Sequence, residues 1–278
     1  MHEVPHWSTG EPVVSAVRVA ALTADGVDPL DEAAQLRLKH HGLDGARLWL
    51  ADQDGFALVH DDALELVVAP TARRRGLGSA LADAAAAHAA HAWSHGDHPA
   101  AAALARRFGW KRARELWVMR LAVSRRSPLA PPSEGVAIRS FRPGDEASIL
   151  AINAAAFAHH PEQGGMDAAD LAARMAEPWF EPEGLLIAEV DGEAAGFHWT
   201  KQHDARHGEV YVVAIAPAGQ GRGLGRALTV AGVEHLAAKG TDEVLLYVEA
   251  DNLPARNLYA SLGFQHAASD THVQWERL

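Results

Sequence analysis

Cysteine is absent from the 278 residues. That absence excludes disulfide staples, zinc–thiolate centres and a cysteine nucleophile, and a reducing compartment fits it. An excess of basic residues is also missing. Lys and Arg number 25 against 36 Asp and Glu, a formal net charge of −11 at pH 7. A general nucleic-acid binder draws its affinity from a basic surface, so that class is not expected. The acidic balance is compatible with a small cationic ligand, but it equally describes an ordinary solvated surface. Long apolar runs are lacking too. The most apolar stretch, Ala80 to Ala92, contains Asp83, His88 and His91 and is too short to span a bilayer. Met1 to Gly10 holds His2, Glu3 and His6 and no apolar leader core. The expectation is a cytoplasmic protein with no membrane partner.

Hydrophobic residues make up 48% of the chain, enough for one or two packed cores. The length predicts one to two domains. Ser124 to Gly135, SRRSPLAPPSEG, interrupts both helical and strand periodicity with three prolines and reads as a linker. It divides the chain into residues 1–123 and 136–278.

The two halves share a pattern. LELVVAPTARRRGLGSALADAAAAH runs from Leu64, and YVVAIAPAGQGRGLGRALTVAGVEH runs from Tyr211. Aligning Pro70 with Pro217 brings Gly76 onto Gly223 and Gly78 onto Gly225. Each segment reads as a β-rich apolar run, a proline loop, a glycine turn and an Ala/Leu helix. Both halves close with a helix ending in Gly, then an aromatic residue and a strand: RRFGW before ELWVMRL, and YASLGF before THVQWERL. An internal repeat accounts for these coincidences. In the second half, Val136–Arg139 reads as a strand and Pro143–Phe157 as a helix. Leu185–Val190 and Ala195–Lys201 read as a hairpin across Asp191-Gly192, and Val244–Glu249 as a further strand. The fold class expected is α/β, with a mixed sheet in each of two tandem domains.

The glycine loops are Gln220-Gly221-Arg222-Gly223-Leu224-Gly225 and Arg73-Arg74-Arg75-Gly76-Leu77-Gly78. Glycine lets backbone N–H groups turn inward without a Cβ clash. The helix that follows adds the positive end of its dipole, which suits an anion such as pyrophosphate. Arg222 and Arg226 in one copy, and Arg73 to Arg75 in the other, add charge. The loop is not a P-loop, because the Lys-Ser/Thr pair is missing. Nor is it a Rossmann fingerprint, since Leu228 and Leu81 stand where the third glycine belongs. Taken alone, a G-x-G is as readily a plain turn.

Q/R-x-x-G-x-G between strand and helix resembles the acetyl-CoA loop of the GCN5-related N-acetyltransferases, the GNAT family. Ala250-Asp251-Asn252, Ala255, Leu258-Tyr259 and Leu262-Gly263-Phe264 resemble that family's second motif. HPEQGG (His160 to Gly165), FHWTK (Phe197 to Lys201), GEVYVV (Gly208 to Val213) and LLYVEADN (Leu245 to Asn252) resemble a narrower group. Its members are tandem GNATs that acetylate the cysteinyl amine of a cysteine–glucosamine–inositol conjugate.

The resemblance implies direct attack of a neutral amine on the acetyl-CoA thioester, with acetyl-CoA as cosubstrate. It implies Glu209 as the base or amine-binding carboxylate and Tyr259 as the acid that protonates the leaving thiolate. Read without it, Glu209 is a strand-end carboxylate and Tyr259 a core aromatic at helical spacing. Cofactor contacts are implied at Val213, Ala214 and Ile215 for the pantetheine arm, and at Gln220, Gly221, Arg222, Gly223, Leu224, Gly225 and Arg226 for the pyrophosphate. They are implied also at Asn252, Leu253, Pro254, Ala255, Arg256 and Asn257. Substrate contacts are implied at Glu32, Glu162, Lys201, Glu209 and Tyr247.

In the first half, cofactor contacts are implied at Leu66, Val67, Val68, Arg73, Arg74, Arg75, Gly76, Leu77, Gly78 and Ser79. Aligning Gly109 with Gly263 places Ala105 opposite Tyr259 and His98 opposite Asn252. The Pro70 register places Asp62 opposite Glu209. The first half is therefore expected to hold acetyl-CoA without catalysing transfer. Of the 17 histidines, His159, His160, His203 and His207 flank the expected site. No H-x-x-x-H pair with a matching carboxylate falls on a clear helix, and a metal is not expected. Another amine (a protein N-terminus, a polyamine, an antibiotic) and a non-catalytic acetyl-CoA-sensing module stay open as alternatives. Two fused domains suffice as a monomer.

Overall fold

The structure, a computed structural model, describes residues 1–129, 134–159 and 163–277. One order of elements runs along it twice. The first pass is β1 (His2–Val4), α1 (Trp7–Asp25), α2 (Glu32–His41), β2 (Ala46–Leu50), β3 (Gly55–His60), β4 (Ala63–Val68), α3 (Leu77–Ala85), β5 (His91–Ser94), α4 (Pro99–Phe108) and β6 (Trp110–Ala122). The second is β7 (Val136–Ser140), α5 (Glu146–Ala156), α6 (Ala168–Met175), β8 (Leu185–Val190), β9 (Glu193–Gln202), β10 (His207–Ile215), α7 (Leu224–Ala238), β11 (Glu243–Glu249), α8 (Leu253–Ser261) and β12 (Gln265–Arg277). The expected repeat and the mixed α/β class are both present.

Contacts divide the chain into two compact units. Met1–Trp117, Glu249–Asp251 and the residues from Ala267 on make the first; Val118–Val248 and Asn252–His266 make the second. The division does not follow the sequence linker. Nearly all of β12 is counted with the first unit, because it pairs antiparallel with β5, Val273 opposite Ser94 through Glu276 opposite His91.

In the first unit β1 to β4 form an antiparallel run, and β4 then pairs parallel with β5. In the second, β7 to β10 are antiparallel and β10 pairs parallel with β11. A parallel pair needs a crossover, which α3 supplies in one unit and α7 in the other. The hairpin between β8 and β9 turns on Asp191 and Gly192, at φ 53° and 88°. Both are left-handed, as a two-residue turn between right-twisted strands requires.

Both faces of each sheet are covered, so alternate residues enter different cores. Leu48, Leu50, Phe56, Leu58 and Val67 pack with Val13, Val14, Val17 and Ala21 of α1. Trp49, Ala57, Val59 and Leu64 pack with Leu81 and Ala85 of α3. In the second unit Leu185, Ile187, Phe197 and Trp199 join Ile149 and Ile152 of α5, while Leu186 and Ala188 join Leu224 and Leu228 of α7.

Helix α7 is seated closely on β9. His198 is fully buried, and its Nδ1–H donates to the Leu228 carbonyl at 2.7 Å. A Cβ on Gly232 would lie 2.1 Å from the His198 ring, so only glycine permits that approach. Burial pushes the imidazole down to about 4, which keeps it neutral. These contacts fix where the first turn of α7, and the glycine loop before it, must stand.

Candidate functional site

The second unit's site begins with an irregularity in β10. Val210 pairs with Thr200 and Val212 with Trp199, so Tyr211 is an extra residue, a bulge. On its other side β10 pairs with β11 only from His207–Val210 to Glu243–Leu246. Beyond that point β10 continues to Ile215 and β11 to Glu249 without shared register. The strands part, and the β10 edge at Val213, Ala214 and Ile215 has no ladder partner on that side. Backbone groups left this way seek a partner, and an extended amide-bearing ligand can add to such an edge.

The loop after β10 follows the helix-start logic. A 3-10 turn at Pro217–Gly219 leads to Gln220, then Gly221 at φ 77° and Gly223 at φ 74°. Gly223 is the N-cap of α7, and no side chain caps that end. The first N–H groups of a 15-residue helix are thus left for an anion. Gln220 to Gly223 are exposed, whereas Leu224 is buried and anchors the loop. Arg226 donates to Ser261 Oγ at 3.0 Å. A Cβ on Gly225 would lie 3.4 Å from Leu258, so α8 runs close by. Asn252 Oδ1 accepts the Ala255 N–H at 3.2 Å and caps α8, with Leu253 to Asn257 forming its first turns.

Glu209 lies on β10 opposite Lys201 of β9 and Leu245 of β11. Paired residues of neighbouring strands share a face, and Tyr247 follows two residues after Leu245 on that face. Glu209 is 6% exposed, and its Oε2 lies 2.7 Å from His203 Nε2. The Lys201 ammonium stands 4.7 Å from the centroid of Trp179 and 5.3 Å from that of Tyr211, attracted by both ring faces. Arg174 Nε donates to Tyr211 Oη at 3.0 Å. The sequence reading missed Trp179, Arg174 and Tyr211. Trp179 and Arg174 belong to no quoted motif, Tyr211 was read only as part of a strand motif, and it is the bulge and the α6–β8 connection that bring them to Lys201.

Tyr259 is buried on α8 against Phe264, ring centroids 5.9 Å apart. Burial pushes its hydroxyl up to about 12, so it holds its proton at neutral pH. The second unit therefore holds a buried carboxylate beside an imidazole, a parted strand edge, a capless helix start and a protonated phenol. That inventory suits proton removal from one group and proton delivery to another.

The first unit repeats the parted strands. β4 and β5 pair only at Ala63–His91 and Leu64–Ala92. A cavity of about 1310 Å³ opens there, lined by Leu66 to Val68 and by Arg73, Arg74, Gly76, Leu77, Gly78 and Ser79, among others. Arg73 is held by Asp25 at 2.7 and 2.5 Å and also donates to the Val68 carbonyl. Its counterpart of Asn252, His98, does the same work: its Nδ1 accepts the Ala100 N–H and caps α4. Ala105 is buried where Tyr259 stands in the other copy, and Asp62 lies in the β3–β4 turn at φ 61°. The sequence also gave no sign of a buried pair here. Glu65 lies 3.6 Å from His95 Nε2, whose Nδ1 is 3.2 Å from His272 Nδ1. Burial pushes the Glu65 carboxyl up, favouring its protonated form.

Glu32 opens α2 in the first unit, after the N-cap Asp31. Glu162, and with it His160, lies outside the described residues. Among the described residues, no group of three His or carboxylate side chains is placed to hold a metal, and no helix is long and apolar enough to cross a membrane.

The sequence model of the acetyltransferase (GNAT) family matches residues 29–110 and 152–264. A mycothiol acetyltransferase of Nocardioides sp. is 56% identical over 95% of this chain and 96% of its own. One from Thermobispora bispora is 48% identical over 94% and 95%. Among solved structures, a tandem GNAT protein from the clavulanic acid biosynthesis pathway superposes with a TM-score of 0.69, covering 99% of this chain and 97% of its own at 20% identity. That likeness concerns the fold.

Proposed function

The chain belongs to the acetyltransferase (GNAT) family, and from that premise we propose that it makes mycothiol, by acetyl transfer from acetyl-CoA to the cysteinyl amine of a cysteine–glucosamine–inositol conjugate. The support is likeness to mycothiol acetyltransferases over nearly the whole length of both chains. The observation that carries the mechanism is Glu209, buried at the mouth of the parted strands, with Lys201 opposite it.

Acetyl-CoA supplies the activated thioester. The unpaired edge of Val213–Ile215 takes the amides of its pantetheine arm, and Gln220–Arg226 with the start of α7 takes the pyrophosphate. Asn252 to Asn257 add contacts from α8. Glu209 takes the proton that makes the amine a nucleophile, and the nitrogen attacks the thioester carbonyl. Collapse of the tetrahedral intermediate expels a thiolate, which takes the Tyr259 proton, and the second proton that the nitrogen loses returns the phenolate to phenol. Lys201, Glu209 and Tyr247, sharing one face, suit the hydroxyls and ammonium of the conjugate; substrate contacts at Glu162 and Glu32 rest on the resemblance alone.

The first unit binds acetyl-CoA in its own cavity but does not transfer, because Ala105 offers no acid and Asp62 no buried base. The enzyme works as a cytoplasmic monomer. The test is coenzyme A release and product mass with the conjugate beside a panel of peptides and polyamines. Acetylation of the conjugate alone is the expected outcome. Turnover only with another amine would overturn the substrate, and binding without turnover would overturn catalysis.

A further inference from the structure

The carboxylate assigned as base sits in a poor place to lose a proton. Glu209 is 6% exposed, and each cycle must return the proton it takes to water. Its side-chain partner is His203, whose Nε2 lies 2.7 Å from Oε2. The His203 side chain is 37% exposed, so it spans the distance from the buried oxygen to solvent. The imidazole is also held in place. His203 begins the turn between β9 and β10, where its backbone N–H donates to the His207 carbonyl at 2.9 Å. Asp204 Oδ1 then accepts the N–H groups of Arg206 and His207 at 2.7 and 2.9 Å. Those donors hold the Asp204 carboxyl down to about 2, so it keeps the turn closed across the working pH range.

We propose that His203 is the proton relay of this site, carrying to solvent the proton that Glu209 removes from the amine. The inference rests on the reading of Glu209 as base. In the step, the substrate N–H bond breaks and its proton joins the Glu209 carboxylate, leaving the electron pair on nitrogen. At rest His203 donates its Nε2–H to the Glu209 carboxylate. Once Glu209 carries the amine's proton, exchange with water moves the imidazole proton to Nδ1, and Oε2 passes its proton to the freed Nε2. The resulting imidazolium releases its Nδ1 proton to water, which restores the starting tautomer. Glu209 ends as a carboxylate and His203 as neutral imidazole. His203 acts through Glu209, so its effect is confined to the proton transfer. It is the only imidazole-bearing partner that the hydrogen bonds among the described residues give Glu209.

The test is steady-state acetylation of the conjugate by the full chain, with wild type, His203→Gln, His203→Ala and Glu209→Gln. Glutamine keeps an N–H donor for Glu209 but cannot carry a proton. His203→Gln is expected to slow transfer about tenfold or more, below the roughly 10²–10⁴ that a general base itself contributes. KM for acetyl-CoA should not move. Added imidazole should restore His203→Ala in proportion to its concentration. Wild-type transfer by His203→Gln, or His203→Ala unmoved by imidazole, would overturn the relay. Glu209→Gln separates the two ideas. If it is slow while His203→Gln is fast, only the relay fails; if Glu209→Gln is as fast as wild type, the base assignment fails and the relay with it. Unchanged thermal midpoints exclude misfolding as the cause of any loss.

Discussion

Arg74 and Gly221 occupy equivalent places in the two loops, and both hold a left-handed backbone, at φ 64° and 77°. The first copy therefore carries a cost of about 1–2 kcal/mol that glycine spares the second. No atom lies within 4 Å of a Cβ built on Gly221, so Gly221→Ala adds the backbone cost alone. It should lower the unfolding free energy by about 1 kcal/mol and weaken acetyl-CoA at the second unit. Denaturant midpoints check the first effect. Calorimetric titration checks the second, with two acetyl-CoA sites per wild-type chain and one of them weakened in the variant.

His198 makes stability depend on acid. Its folded pKa, about 4, lies below the ordinary value of 6.5, so the unfolded chain binds more protons between those limits. Unfolding free energy is unaffected above about pH 6.5 and falls as pH drops toward 4, by about 3 kcal/mol from this fully buried group. Urea unfolding at about pH 7, 6 and 5 should show that fall, and His198→Asn should flatten it. An equal slope in the variant would show that other groups carry the acid sensitivity.

Tyr259 keeps its proton up to about pH 12, so no loss of activity below that pH should trace to its ionisation. Tyr259→Phe retains the ring contact with Phe264 and should preserve stability. It should reduce kcat on the order of 10²-fold with little change in KM for acetyl-CoA. Full activity in Tyr259→Phe would remove it from the mechanism.

Trp179 holds Lys201 by its ring face, an interaction worth about 0.5–2 kcal/mol. Trp179→Leu should raise KM for the amine severalfold and leave KM for acetyl-CoA unchanged. Steady-state kinetics with each substrate varied in turn would show the split. A rise in both constants would mean that the ring supports the core with Trp199 and Tyr211 rather than the lysine.

The repeat was legible because its marks are local. Gly76 and Gly223 both cap helices with positive φ, and Asp191-Gly192 turns a hairpin as its composition predicts. Gly109 and Gly263 likewise stand left-handed where helices end before an aromatic and a strand. What escaped the sequence depends on distant partners. Nothing in THVQWERL says that Val273 will lie beside Ser94. The bulge at Tyr211 exists only as a mismatch between two strands. The Glu65–His95 pair joins residues 30 positions apart, with His272 far beyond. Of the site, the glycine loops and Glu209 carry local signatures; the imidazole and the aromatic rings around it do not.

The pairing of β12 with β5 sets a timetable for synthesis. The N-terminal strands emerge from the ribosome first, yet β5 keeps an unsatisfied edge until residues 273–276 have been made. The nascent first unit must wait with that edge open, a liability natural sheets otherwise cover, while everything between is translated. Synthesis of residues 273–276, not of the first half alone, completes the N-terminal sheet.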